Sequence, residues 1–210
     1  YGYIDCLISS SRTLTYNYGK ITDSQNKITY NYGTIEKNNA LVDTNYNIIE
    51  NNIGTINRYS SDVTLNENSG TINTLSKGSV RKNTGKINDV DDKNVTIYNY
   101  AGGTVGKSDN AWGVRACTVW NMGGIVQGYS SYADNVTVYN FEGGTVSNLR
   151  KGSVIYNLGG TVTDSSTARV INCYKVNINS SFVETWNDKF IINPDTGEVW
   201  LPEGETGTFT

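Results

Sequence analysis

Residues 31–35 read NYGTI, and the phrase returns as NYGKI at 17–21, NIGTI at 52–56, NSGTI at 68–72 and NTGKI at 83–87. It then lengthens to NYAGGTV at 99–105, NMGGIV at 121–126, NFEGGTV at 140–146 and NLGGTV at 157–162. The asparagines fall at 17, 31, 52, 68, 83, 99, 121, 140 and 157, with a tenth anchor at 172. Their spacings of 14 to 22 residues are too short for helical repeats, which need about 33, and suit the coils of a β-solenoid. Two coils align almost without gaps, GTINTLSKGSVRKNTGKI (70–87) and GTVSNLRKGSVIYNLGGTV (144–162). That match is too long to be an accident of composition.

A strand feeds the anchor in VTIYN (95–99), CTVWN (117–121) and VTVYN (136–140). Alternation puts Val95/Ile97, Cys117/Val119 and Val136/Val138 on one face and the threonines between them on the other. The anchor Asn tolerates left-handed backbone and so turns a corner, and its amide can bond the Asn of the next coil. The following Gly permits positive φ and close coil-to-coil approach. The closing Ile or Val (21, 35, 56, 72, 87, 105, 126, 146, 162) points back inside. In SVRKN, SVIYN, KITYN and TLTYN the apolar residue stands three before Asn, and a one-residue slip reverses facings. Tyr16 and Tyr30 are therefore expected inside, with Tyr98, Trp120 and Tyr139 outside.

Composition narrows the class. The 210 residues allow one large domain or two small ones. A net charge of −3, with no basic cluster beyond Arg81–Lys82, argues against a nucleic-acid partner. No run approaches the ~18 apolar residues of a membrane span, so no membrane insertion is expected. The start, YGYIDCLISSS, reads as the cut edge of a larger protein or a matured N-terminus. Apolar content of 37% is low, yet the apolar residues arrive on schedule, as a disordered tract's would not. There is no histidine, and Cys6, Cys117 and Cys173 make no CxxC or CxxH spacing. Neither zinc nor haem is expected, nor any other cofactor, and Cys117 and Cys173 read as buried free thiols.

The N-x-G-T-[IV] runs and V-T-V-Y-N strands over roughly 12–176 resemble the β-solenoid repeat regions of bacterial surface and phage proteins, broadly in the style of the parallel β-helix, pectin-lyase-like class. The strict hexapeptide period and the calcium-binding GGxGxD repeat are both absent. The resemblance implies a glycan or surface-protein partner, as for adhesins, carbohydrate-active proteins and viral fibres.

Three features are candidates for function. Tyr98, Trp120, Tyr139 and Tyr156 precede the anchor in four consecutive coils, and stacked outward they make an aromatic strip. It reads first as a stabilising ladder, then as protein packing, then as glycan binding. The residues after the anchor, Tyr100, Met122, Phe141 and Leu158, are assigned to the core. Loops GKSDNAWGVRA (106–116), QGYSSYADN (127–135) and NDVDDKN (88–94) leave the coils at one phase, and such an edge is often the binding one. Trp112, Tyr129 and Tyr132 lie there beside Asp109 and Asp134. Without histidine, Ser-His-Asp and Cys-His devices are excluded; a glycosidase needs only two carboxylates, and a lyase-type site wants a basic residue beside clustered acids. Asp92, Asp109 and Asp134 qualify by spacing, with Arg115 the nearest base. Asp89, Asp91 and Asp92 resemble a Ca²⁺ loop but read as solvated acids, so no metal is assigned. The threonines at 34, 55, 71, 104, 145 and 161 form a column broken by Lys20, Lys86 and Ile125, and read as outward filler rather than an ice-binding face.

The expected architecture is all-β: a single-stranded parallel β-helix of about ten short irregular coils (1–176) and a C-terminal capping segment (177–210). Within that cap FIINPDTGEVWLP (190–202) reads as a hairpin turning at Pro194–Gly197. The expected role is a non-catalytic scaffold or adhesive module, extracellular, cell-surface or virion-borne. Its alternatives are a carbohydrate-active enzyme and the shaft of a fibre, the latter as a homotrimer.

Overall fold

The computed structural model describes residues 3–7, 13–24, 27–39, 49–60, 64–106, 113–128, 134–177 and 190–205. Two parallel sheets face each other, and the chain alternates between them. The asparagine sheet holds β2 (Thr13–Asn17), β4 (Lys27–Asn31), β6 (Ile49–Asn52), β8 (Glu67–Asn68), β10 (Ser79–Asn83), β12 (Thr96–Tyr100), β15 (Thr118–Met122), β17 (Thr137–Phe141), β19 (Val154–Leu158) and β21 (Arg169–Val176). The threonine sheet holds β1 (Tyr3–Leu7), β3 (Lys20–Ser24), β5 (Thr34–Asn39), β7 (Thr55–Ser60), β9 (Thr71–Leu75), β11 (Lys86–Asp91), β13 (Thr104–Val105), β16 (Ile125–Gln127), β18 (Thr145–Ser147) and β20 (Thr161–Thr163). A short β14 (Val114–Arg115) joins the end of β11. This is a parallel β-solenoid.

The rod makes about seven turns rather than the ten or so that the anchors suggest. Seven windings, from Ile28/Ile35 to Val138/Val146, seal an aliphatic of each sheet completely. At the ends Leu14 and Val162 are only partly covered, and Val170 is 42% exposed. Each sealed aliphatic contributes on the order of 1.5–3 kcal/mol, so the fold is carried by the axial column of Ile, Leu and Val. Val95, Cys117 and Val136 thicken that column in the later coils.

The anchors are inside too. Asn17, Asn31, Asn52, Asn68, Asn83, Asn99, Asn121 and Asn140 are all buried. Each donates from Nδ2 to the Oδ1 of the next, at 2.7–2.9 Å as far as Asn140 and 3.3 Å from there to Asn157. The spare amide hydrogen reaches backbone carbonyls, as in Asn121 to Gly124 O (3.0 Å) and Asn140 to Thr161 O (3.1 Å). A buried amide left unpaired costs about 1–3 kcal/mol, so the closed accounting is what admits a polar column into the core. Asn172 keeps the register opposite Asn157 but is exposed and lies outside the ladder.

Several expectations are corrected. No anchor Asn takes positive φ; the described non-Gly residues that do are Ala116, Asn135, Asn148 and Asp164, all in loops. The corner belongs to glycine, in two versions. After a single-Gly anchor, a methyl at Gly85 would overlap the carbonyl oxygen of Gly70, so the requirement is close approach. After a double-Gly anchor, the first glycine supplies the left-handed turn (Gly102, φ 88°) and the second packs on the ladder amides. Tyr16 faces out, 51% exposed, and Tyr30 stacks on it, because the extra residue does not reverse the strand. It is absorbed locally: Val80 pairs Ile97 and Asn83 pairs Asn99, with a register shift between them. In SVIYN the inward residue is Ile155, two before the anchor, while Val154 is half-buried.

At the C-terminal end β21 leaves the stack. Its first half pairs β19 in parallel, and Cys173–Val176 pair antiparallel with β23 (Val199–Pro202), which in turn pairs β22 (Ile191–Ile192). The hairpin turn is tied by Asn193, whose Oδ1 accepts from Asp195 N (2.9 Å) and Thr196 N (3.2 Å), and Gly197 takes φ 71°. This hairpin lies on the outer face of the asparagine sheet, where Ile191 and Trp200 join Phe141 and Leu158 in a second apolar cluster. Tyr100, Met122, Phe141 and Leu158 therefore belong to an outer face under the hairpin, not to the axial core. They share the side of Tyr98 because a strand alternates with period two.

Candidate functional site

On the outer face of the asparagine sheet each strand shows one residue before and one after its buried Asn. The residues before the anchor bring Tyr98, Trp120, Tyr139 and Tyr156 into register. Ring centroids are 6.1, 4.3 and 5.1 Å apart, with interplanar angles of 14°, 24° and 12°. The expected aromatic strip exists, and its geometry limits what it can do. Rings stacked along the rod cover each other's faces, so a partner meets edges and hydroxyls. Burial, helped by the neighbouring Tyr156, raises the Tyr139 phenol above its ordinary value of 10.0.

Beside the strip a cleft of about 400 Å³ opens between this face and the hairpin. Tyr100, Phe141 and Trp200 wall it, and Glu142, Asp195, Glu198 and Lys175 rim it. Tyr100 donates its hydroxyl to Asp195 Oδ1 at 3.0 Å, latching the turn to β12. Burial and that bond push the Tyr100 phenol up to about 12. Trp200 Nε1 is buried with no hydrogen-bond partner among the described residues.

A second cavity of about 400 Å³ sits on the loop edge, lined by Asp91, Asp92, Lys93, Arg115, Ala116 and Asp134. The acids of the 88–94 stretch are engaged with the protein. Asp89 Oδ1 accepts from Gly113 N (2.9 Å), Asp92 Oδ1 accepts from Asn94 N (2.8 Å), and Asp91 is ion-paired with Arg115. Ala116, at φ 50°, turns the loop here and donates its N–H to Asp134 O (3.0 Å). Among the described residues no three acids, cysteines or histidines come together in a metal-binding group. Trp112, Tyr129, Tyr132 and Asp109 lie outside the described residues.

Cys117 is a buried free thiol, pushed up to about 12 by burial, and Cys173 is a half-buried one at about 11. The threonine column is in register with its interruptions, as in Thr71–Lys86–Thr104–Ile125–Thr145.

Two features escaped sequence reasoning. Tyr16, Tyr18, Tyr30 and Tyr32 form a two-by-two grid, with stacked pairs at 5.4 and 4.9 Å. The repeated YNYG at 16–19 and 30–33 signals it. Asn57, Asn73 and Asn88 make a second, half-exposed ladder at 2.7 and 2.8 Å, signalled by TIN, TIN and KIN.

No protein-family model, curated protein or solved structure matches the chain, so the solenoid stands on its own geometry and the pectin-lyase-like style gains no support.

Proposed function

We propose that this chain is a non-catalytic scaffold or adhesive module, displayed outside the cell or on a virion, that presents one aromatic face and a loop edge to protein or glycan partners. The observation that supports this is the continuous ladder: eight interamide bonds in sequence stiffen a rod whose described cavities all open on its surface. Such a rod holds Tyr98, Trp120, Tyr139 and Tyr156 in fixed register with little entropy left to lose on binding. Because their faces are mutually covered, edge and hydroxyl contacts to a protein suit them better than stacking on sugar rings.

Binding to glycan arrays and to candidate surface proteins, compared between wild type and Trp120→Ala, tests this. Loss of binding without loss of folding is expected, and retention by the variant counts against the strip. One observation favours a second reading, a carbohydrate-active enzyme: the loop-edge cavity gathers Asp91, Asp92 and Asp134 with Arg115. Release of reducing sugar that disappears in Asp134→Asn would establish that alternative. For the fibre-shaft reading, sedimentation of the isolated chain decides, since a stable monomer removes the homotrimer.

A further inference from the structure

The cleft under the hairpin has a chemistry of its own. Its inner wall is aromatic, from Tyr100, Phe141 and Trp200, and its rim carries three carboxylates, Glu142, Asp195 and Glu198, against one ammonium, Lys175. Three negative charges less one positive leave −2. Lys175 is already ion-paired with Glu198, so the uncompensated charge belongs to Glu142 and Asp195, both exposed. Aromatic faces beside carboxylates attract a cation with an apolar stem, repel an anion, and give a neutral ligand only the burial.

We propose that this cleft binds an organic cation, an alkylammonium group. Its aliphatic stem lies along Tyr100, Phe141 and Trp200, and its charge faces Glu142 and Asp195. The same group occurs on free amines and on the lysines of a protein partner. The inference does not rest on the adhesive reading above: a cleft that fills with amine stands even if the aromatic strip has no partner.

The test uses the full chain and follows the Trp200 indole N–H resonance, assigned with Trp200→Phe, during titration with n-hexylammonium, n-hexanol and hexanoate. Saturable shifts with the amine are expected, about tenfold tighter than with the alcohol, and none with the carboxylate. Glu142→Gln, which leaves the hairpin latch alone, is expected to weaken the amine several-fold, and the remote Glu67→Gln to leave it unchanged. A lysine-containing peptide and its N-acetyl-lysine form make the second arm. Binding of the first but not the second identifies a protein lysine as the source, and binding of free amine alone identifies a small molecule; both satisfy the proposal. Equal affinity for hexanol, no effect of Glu142→Gln, or no saturable shift at all would each overturn it.

Discussion

The two ends of the asparagine sheet carry the same kind of surface and treat it differently. At the N-terminal end Tyr16, Tyr18 and Tyr32 are 51%, 58% and 41% exposed, with Ile53 next to them at 44%. At the C-terminal end the equivalent positions hold Tyr98 to Tyr156 and Tyr100 to Leu158, and the hairpin seals Phe141 to 4% and Leu158 to 0%. Between them the exposed ion pair Lys82–Glu67 (3.1 Å) breaks the aromatic columns. The backbones differ as well. From β2 to β10 the inward aliphatic stands three before Asn and a single Gly follows; from β12 to β19 it stands two before and a Gly pair follows in the corner. One ladder crosses both regimes because the register shift at Val80/Asn83 absorbs the extra residue. The inward column is therefore the invariant of the fold, and strand spacing, corner type and outer cover vary around it.

The two corner types make the sharpest contrast. Gly85→Ala drives a methyl into the Gly70 carbonyl, a backbone atom that cannot step aside, so a loss above about 4 kcal/mol or failure to fold is expected. Gly102→Ala meets nothing closer than Thr84 O at 3.5 Å and is penalised only for its left-handed φ, about 1–2 kcal/mol. Urea unfolding of both variants measures the gap. Equal losses would mean that the two corners are the same device.

Next in size is a break in the ladder. Asn99→Ala removes the acceptor of Asn83 Nδ2 and the donor to Asn121 Oδ1, and leaves buried polar atoms on both sides. About 2–4 kcal/mol should be lost. Asn73→Ala, in the half-exposed second ladder, should lose about 1 kcal/mol, and the exposed Asn172→Ala should stay within ~0.5 kcal/mol. If Asn73→Ala costs as much as Asn99→Ala, burial is not what gives the ladder its weight.

How much of this was legible follows from the same distinction. The solenoid, its anchors and the closing aliphatics could be read because an axial column demands one residue type at one phase in every coil. The hairpin strands could be read from FIINPDTGEVWLP, but nothing local to that stretch names the face on which it rests. Tyr100, Met122, Phe141 and Leu158 look like core because apolarity does not say which core. Alternation puts Tyr16 and Tyr30 inside because a slip normally reverses facings, and a bulge is a local escape that no pattern of alternation announces. The cleft escaped for the same reason: its walls come from β12, β17 and β23, brought together by the hairpin's return.

The cover itself distinguishes the two ends by a smaller amount. Trp200→Ala should lose about 3 kcal/mol, because the side chain closes the cluster of Phe141 and Leu158. Trp200→Phe should lose much less, since the indole N–H it removes has no partner among the described residues. Tyr32→Ala at the uncovered end should lose about 1 kcal/mol or less, since its close stack on Tyr18 and its looser contacts with Tyr16 and Tyr30 all lie beside solvent. Thermal unfolding of the three variants orders them.

The covered end also carries a pH dependence of its own. Burial raises the Cys117 thiol from 9.0 to about 12, and burial with the Asp195 bond raises the Tyr100 phenol from 10.0 to about 12. Both folded values are raised, so folding favours the protonated forms. Their contribution is complete below the unfolded values and is lost as pH climbs through them toward 12. Unfolding free energy should therefore hold level to about pH 9 and fall above it as the unfolded thiol ionises. Cys117→Val, which fills the same axial position without an ionisable group, should make the fall above about pH 9 shallower, while Cys173, raised from 9.0 to about 11, keeps its onset in place. Tyr100→Phe should instead flatten the upper part of the decline, above about pH 10, and leave its onset in place. An identical profile in both variants and wild type would mean that neither group is held neutral by the fold, and would detach the hairpin latch from the stability of the coils beneath it.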